Sequence, residues 1–334
     1  MSSSTTKARN DHEEAGASAA TLRSETQRDI NAVTRHKPTR NHMRVVALHC
    51  SGAGAGQWRQ LGDALGSRYD LVAPEHYGCD SVGPWSGEHA FTLADEAART
   101  IEIIDRSDCT VHLVGHSYGG GVALRAAIER PNRIASIALY EPTAFHLLKA
   151  TSGRGATAFA EILAIAAETA EGVITGDHRR AAASFVDYWG GRGAWAALRP
   201  SVRAALTRWV PKAPLDFRAL IDEPTSAFTY ANLRCPALII RGEHSPAPTR
   251  LIADMLRTLL PAASLAVIAS AGHMGPFTHA SEINAAIARH IASTSMLDTQ
   301  RGSFLHHEFS RPQDRVVGDI VGLNTYNPGR NRDV

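Results

Sequence analysis

Residues 111–121 read Val111-His112-Leu113-Val114-Gly115-His116-Ser117-Tyr118-Gly119-Gly120-Gly121. An apolar, β-branched run ends in Gly115-His116-Ser117-Tyr118-Gly119, and a helix-like stretch begins directly after it. A G-x-S-x-G at a strand-to-helix junction holds its serine on a strained turn that pushes the hydroxyl into an open pocket. Gly115 and Gly119 have a steric task there, because a turn that brings strand and helix backbones together leaves no room for a Cβ on either side. The competing reading is a chance match of five residues; the strand before and the helix after weigh against it.

Outward from this junction, short apolar runs alternate with helical patterns. The runs are Val45 to His49, Leu71 to Ala73, Val111 to Val114, Ile134 to Tyr140, Ala237 to Arg241 and Leu265 to Ala269. Helical spacing covers Gln57 to Leu65, Phe91 to Asp105, Tyr118 to Arg130, Thr249 to Leu260 and Ser281 to Ala292, and Pro131 stops the third of these because it cannot continue the hydrogen-bond ladder. Strands apolar on both faces and separated by helices predict an α/β fold with a mostly parallel sheet flanked by helices. The stretch from Pro142 to Asn232 breaks the rhythm: it is alanine-rich, helical in spacing and without a convincing strand. It reads as a helical insertion over the sheet, roofing any pocket beneath. Its Trp189, Trp195 and Trp209 read as packing residues at the junction with the core rather than substrate binders, since large aromatics mostly bury area.

Composition limits the function classes. Of 334 residues, 44% are hydrophobic and 20% charged, so most of the chain can bury a core. A net charge of +2, from 35 basic and 33 acidic residues, gives no electrostatic reason to expect nucleic acid or an anionic membrane. Cys50, Cys79, Cys109 and Cys235 are scattered singly, which suits buried thiols in a reducing cytoplasm better than disulfides or a zinc site. Residues 1–42 are polar and lack a secretory apolar segment, so they read as a disordered extension; Met43 then opens the fold. Residues 296–334 lose periodicity and read as a second poorly ordered tail. His306-His307-Glu308 within that tail reads as a solvated polar stretch, and no metal or cofactor is expected. No run of about 18 apolar residues suggests a membrane span. The expected organisation is therefore a core in two parts, 43–141 and 233–295, with the helical insertion at 142–232 between them and a tail at each end.

With the elbow, the alternating pattern and a late histidine, residues 43–293 resemble the α/β-hydrolase superfamily, in the serine-nucleophile branch with a helical cap. His49-Cys50-Ser51-Gly52 resembles the loop that supplies half of the oxyanion hole, although glycine usually stands where Cys50 does. Ala73-Pro74-Glu75 is similar to a strand end that usually reads A-P-D, and Ser270-Ala271-Gly272-His273-Met274-Gly275-Pro276 to the histidine loop after the last strand. The resemblance implies that the cap enters between the strands the superfamily counts as sixth and seventh. It also implies oxyanion donors from the backbone N–H groups of Ser51 and Tyr118. Gly52, Gly54 and Gly56 would let the first loop approach the site; the plain alternative is a flexible turn.

A serine hydroxyl is a weak nucleophile at neutral pH, so an imidazole must take its proton and later return it. His273 is the candidate, in the order serine, acid, histidine that this fold uses; the alternatives are His279, His49, His116 and His244. The acid departs from the pattern, because Gly242-Glu243-His244-Ser245 puts Ser245 where relatives carry aspartate, and a hydroxyl cannot supply the negative charge. Glu141, at the tip of the run Ile137 to Tyr140, is the favoured substitute, since some branches draw their acid from that strand. Pro142 is expected to keep Glu141 extended. Glu243 is the alternative, and a degraded site without an acid the third possibility.

Because serine occupies the nucleophile position, the resemblance implies acyl chemistry rather than dehalogenation or epoxide opening. The expectation is a carboxylesterase-like serine hydrolase acting on a small or medium hydrophobic ester, lactone or related substrate. Two other readings stay open: a ligand-binding protein that kept the fold without turnover, and C–C hydrolase, lyase or perhydrolase chemistry on the same residues.

Overall fold

The computed structural model describes residues 43–308, with side chains to residue 295. The tail expected at 1–42 and residues 309–334 of the second tail lie outside the described residues, as do the side chains of His306, His307 and Glu308. Six parallel strands form one sheet in the order β2-β1-β3-β4-β5-β6. They are β1 (Met43–Leu48), β2 (Tyr69–Val72), β3 (Val111–His116), β4 (Ile134–Tyr140), β5 (Ala237–Gly242) and β6 (Ala263–Ile268). The connecting helices are α1 (Arg59–Leu65), α2 (Leu93–Asp105) and α3 (Tyr118–Glu129). The insertion between β4 and β5 carries α4 (Arg154–Ile174), α5 (His178–Gly190), α6 (Ala194–Ala197), α7 (Pro200–Trp209), α8 (Ala213–Ile221) and α9 (Ala227–Tyr230). After β5 come α10 (Ala247–Leu259), α11 (Gly275–Thr278) and α12 (Ala280–Glu308). The strands counted sixth and seventh by resemblance are thus β4 and β5 here, and α12 continues past the tail boundary expected at residue 295.

Each strand divides its side chains between two cores, as a pleat of period two requires. Val46, Leu48, Leu113, Ile137, Leu139 and Ile239 join the core shared with α2, α3 and α10. Val45, Ala47, Val114, Ala138, Leu238 and Ile240 join the opposite core, closed by Leu61 of α1 and by Ile283, Ile287 and Ile291 of α12. Burial on both faces is why these runs read as continuously apolar. The insertion has a small core of its own around Trp195, Val210 and Ala213.

The chain leaves β1 toward β2 and then returns to the other side of β1 to form β3. Between β1 and β3 the sheet therefore has a switch point, and the crevice beyond the carboxyl ends of its strands is where open α/β sheets bind ligands. Ser117 follows β3 at that crevice.

The turn there is as tight as its glycines suggest. A Cβ on Gly119 would lie 2.3 Å from the Leu48 carbonyl oxygen, and one on Gly115 would lie 2.6 Å from the Gly119 carbonyl oxygen. These neighbours are backbone atoms that cannot step aside. A Cβ on Gly272, by contrast, meets nothing within 4 Å. In urea unfolding, Gly119→Ala is expected to lose about 3 kcal/mol, the upper end of the usual cost of overpacking, whereas Gly272→Ala stays within about 0.5 kcal/mol of the parent.

Candidate active site

Ser117 sits on the turn between β3 and α3 with φ 53° and ψ −117°, a conformation that side chains rarely adopt. Backbone bonds on both sides hold it: its N–H donates to the Tyr140 carbonyl at 3.0 Å, and its carbonyl accepts from Thr143 N–H at 3.2 Å. The hydroxyl lies 2.9 Å from His273 Nε2, and His273 Nδ1 lies 2.7 Å from Glu141 Oε2. Ser117, His273 and Glu141 are 7%, 3% and 0% exposed, so the chain of contacts is shielded from water.

Glu141 is not extended as expected. Its φ is 45°, in the left-handed region, because the chain must turn off the end of β4 at once to aim the carboxylate back across the sheet. Donors gather around it: Gly242 N–H reaches Oε1 at 2.7 Å, and the Ser245 hydroxyl donates to the same oxygen. The serine in the position where aspartate was looked for thus supports the carboxylate that reaches the imidazole. Burial alone pushes the Glu141 carboxyl up, but the bond and charge of His273, with Ser245 and Gly242, outweigh it and hold the group below the usual carboxylate range. Glu243 is exposed and turned elsewhere; its Oε2 accepts from Ser270 N–H at 2.9 Å, pinning the start of the histidine loop, where Ser270 has φ 57°.

The remaining histidines separate cleanly. His279 bonds its neighbour Thr278, and His244 is exposed. His116 is buried behind the loop: its Nε2–H donates to the His273 carbonyl at 2.9 Å and its Nδ1 accepts from Gln57 Nε2 at 3.1 Å. Gln57 Oε1 in turn accepts from Cys50 N–H at 3.1 Å, linking the loop after β1 to the histidine loop. His49 donates from Nδ1 to the Cys50 carbonyl at 2.8 Å and accepts at Nε2 from His76 N–H at 3.2 Å, an arrangement only the neutral ring can make. Burial is the main cause that lowers His49 to about 3 and His116 well below its ordinary value.

A narrow cleft opens beside the serine, lined by Ser51, Ser117, Tyr118, Thr143, Phe145, Phe185, Trp189, Asp216, Phe217 and Leu220. Ser51 and Tyr118 therefore meet at the nucleophile candidate, although they follow different strands. Gly52, at φ 73°, allows the loop after β1 to pass under the insertion, since a Cβ there would lie 2.7 Å from Leu206 and 3.1 Å from Trp209.

Several residues escaped the sequence reading. Trp189 is more than a packing residue: its ring centroid lies 4.4 Å from that of His273, and it lines the cleft. Glu96, Lys212 and Asp216 form a buried ionic cluster beside the cleft. The only sequence signal for it was two opposite charges four apart, Lys212 and Asp216, in an otherwise apolar stretch. Of the cysteines only Cys50 is buried, and burial pushes its thiol up to about 12; Cys109, in the loop before β3, is exposed, contrary to expectation. Among the described residues, no helix is long and apolar enough to cross a membrane.

The chain belongs to the alpha/beta hydrolase family, whose model matches residues 45–286. Among solved structures it is similar to the enol-lactonase of Burkholderia xenovorans, with a TM-score of 0.61 and 16% identity, covering 77% of this chain and 93% of that one. A curated relative is the dihydrolipoyllysine-residue acetyltransferase component of the acetoin cleaving system of Cupriavidus necator, 33% identical over 30% of this chain and 27% of that protein. Another is the lipase LipV of Mycobacterium tuberculosis, 29% identical over 30% of this chain and 37% of the relative. The matches span between about a quarter and two fifths of these curated relatives' own length.

The neutral, buried state of His49 and His116 has a consequence for stability. In the unfolded chain both protonate near about pH 6.5, whereas in the folded chain they do so far lower. Below that pH the unfolded state binds more protons, so stability falls as pH falls, by up to about 1.4 kcal/mol per pH unit for each histidine. Urea midpoints measured between pH 7 and pH 4 are expected to show this slope, and His49→Gln to make it shallower by about one histidine's share.

Proposed function

We propose that this hydrolase-family member is a serine hydrolase of small acyl substrates, carboxylesterase-like, working through an acyl-enzyme. The observation that carries the reading is the unbroken line of contacts from Ser117 Oγ to His273 Nε2 and from His273 Nδ1 to Glu141 Oε2. In the proposed reaction Ser117 Oγ attacks the substrate carbonyl carbon while its proton passes to His273 Nε2. Glu141, held ionised by its donors, keeps Nδ1–H in place and stabilises the imidazolium that forms. The negative oxygen of the tetrahedral intermediate lies against the N–H groups of Ser51 and Tyr118, each such donor lowering the barrier by about 3 kcal/mol. Collapse breaks the bond to the leaving alkoxide, which takes the proton from His273 and departs as an alcohol. Water, deprotonated by the same ring, then cleaves the acyl-serine and regenerates the hydroxyl.

The cleft supports a small apolar acyl group. Phe145, Phe185, Trp189, Phe217 and Leu220 make its wall largely apolar, with only Ser51, Thr143 and Asp216 adding polar side chains beside Ser117 and Tyr118. The name of the M. tuberculosis lipase supports ester rather than carbon–carbon cleavage.

A fluorophosphonate probe is expected to label the chain at Ser117 and to leave Ser117→Ala unlabelled. With short-chain 4-nitrophenyl esters, Glu141→Gln is expected to lower kcat by about 10⁴-fold, the scale of losing a triad acid, while Glu243→Gln retains turnover. Equal losses in the two carboxylate variants would refute the assignment of Glu141.

A further inference from the structure

The two residues proposed to donate to the oxyanion follow different strands, Ser51 after β1 and Tyr118 after β3. Their side chains nevertheless end in one buried cluster. Ser51 Oγ donates to Asp216 Oδ2 at 2.6 Å, and the Tyr118 hydroxyl donates to Glu96 Oε2 at 2.8 Å. Lys212 joins the two carboxylates: its Nζ donates to Glu96 Oε2 at 3.0 Å and to Asp216 Oδ1, and lies 3.4 Å from the Tyr118 hydroxyl. The ammonium also sits 4.9 Å from the centre of the Tyr118 ring and 4.4 Å from that of Phe91. The side chains of Lys212, Glu96 and Asp216 are 4%, 0% and 6% exposed. Lys212 and Asp216 belong to the insertion, whereas Glu96 belongs to α2 of the core.

Such a cluster contributes little to net stability, because removing its charges from water offsets most of their attraction. It does supply direction. Each carboxylate oxygen has a donor, with Tyr77 N–H reaching Glu96 Oε1 at 3.1 Å, and the two hydroxyl donors belong to the two residues proposed to supply the oxyanion N–H groups. An oxyanion hole is effective only if its N–H groups are aimed before the charge develops.

We propose that Lys212, together with Asp216 and Glu96, is a positioning centre that aims the backbone N–H groups of Ser51 and Tyr118 at the reacting carbonyl. The insertion thereby completes the oxyanion hole from outside the core, and turnover is fast only while Lys212 bridges the two carboxylates. This rests on the serine-hydrolase reading above. The cluster bonds neither to Ser117 nor to His273, so its effect falls on the stabilisation of the developing charge and hence on kcat, leaving substrate affinity nearly untouched.

Ser51→Ala and Tyr118→Phe each remove one hydroxyl and leave the backbone N–H in place, which makes them the deciding variants. Hydrolysis of 4-nitrophenyl butyrate is expected to show kcat about 10-fold lower for each, with KM within about twofold, a part of the 10²–10³ lost with a whole donor. Lys212→Met is expected to lose about 10²-fold, and adding Ser51→Ala and Tyr118→Phe to it to cost little more, because all three cut the same tether. Fluorophosphonate labelling of the parent runs alongside. If the parent labels at Ser117 while Ser51→Ala and Tyr118→Phe keep its kcat, the positioning role is overturned and the nucleophile stands. Losses confined to KM, or losses that multiply independently with Lys212→Met, overturn it as well. A folded parent that neither labels nor turns over ester overturns both readings. Should Lys212→Met fail to fold, the two hydroxyl deletions still decide.

Discussion

A carboxylate without solvent is tolerable only where donors replace its hydration, and Glu141 has no exposure at all. Its donors come from three places: the backbone at the end of β5, the Ser245 hydroxyl just beyond it, and the ring of His273 after β6. Meeting all three forces a positive φ at a residue with a full side chain, directly before proline. The hydrogen bonds offset that strain, and in doing so they tie the carboxyl ends of β4 and β5 to the histidine loop. Removing the carboxylate would therefore loosen the loop as well as discharge it.

The other end of the line of contacts obeys a steric constraint. Helix α3 starts so close to β1 that Gly119 faces the carbonyl oxygens of Leu48 and His49. This approach brings the loop after β1 alongside Ser117 and leaves Ser117 no ordinary backbone conformation. Strain at the serine and proximity of the Ser51 loop are consequences of the same packing.

The helices between β4 and β5 do more than cover the site. Trp189, Phe185 and Phe217 wall the cleft, and Asp216 lines it while accepting from Ser51. Burial pushes the Asp216 carboxyl up, with Lys212 and Ser51 opposing, whereas the charges of His76 and Lys212 outweigh burial at Glu96 and hold it down. The two carboxylates bridged by one ammonium are thus unequal, with the more reluctant anion facing the cleft.

The histidine loop was legible only through its resemblance to that of the superfamily, whereas the alternating strands, the elbow at Ser117 and the placing of Glu141 at a strand end could be read from local residue order. Each follows from a rule that acts within a few residues: side-chain period, backbone room at glycine, the missing N–H of proline. The backbone angle of Glu141 could not be read that way, because donors from β5 and the histidine loop override the preference set by Pro142. Nor could the role of Ser245, whose hydroxyl has meaning only beside a carboxylate from β4, or the link through Gln57 and His116. Lys212 and Asp216 are four residues apart in sequence, and only the fold puts Glu96, Tyr118 and Ser51 around them. By itself the sequence determined which segments become strands and where a serine must be strained, since those outcomes depend on local sterics and on burial of apolar faces. Which charges and hydroxyls meet was decided only by the tertiary structure, because pairing across distant segments depends on where the sheet and the insertion bring their ends together.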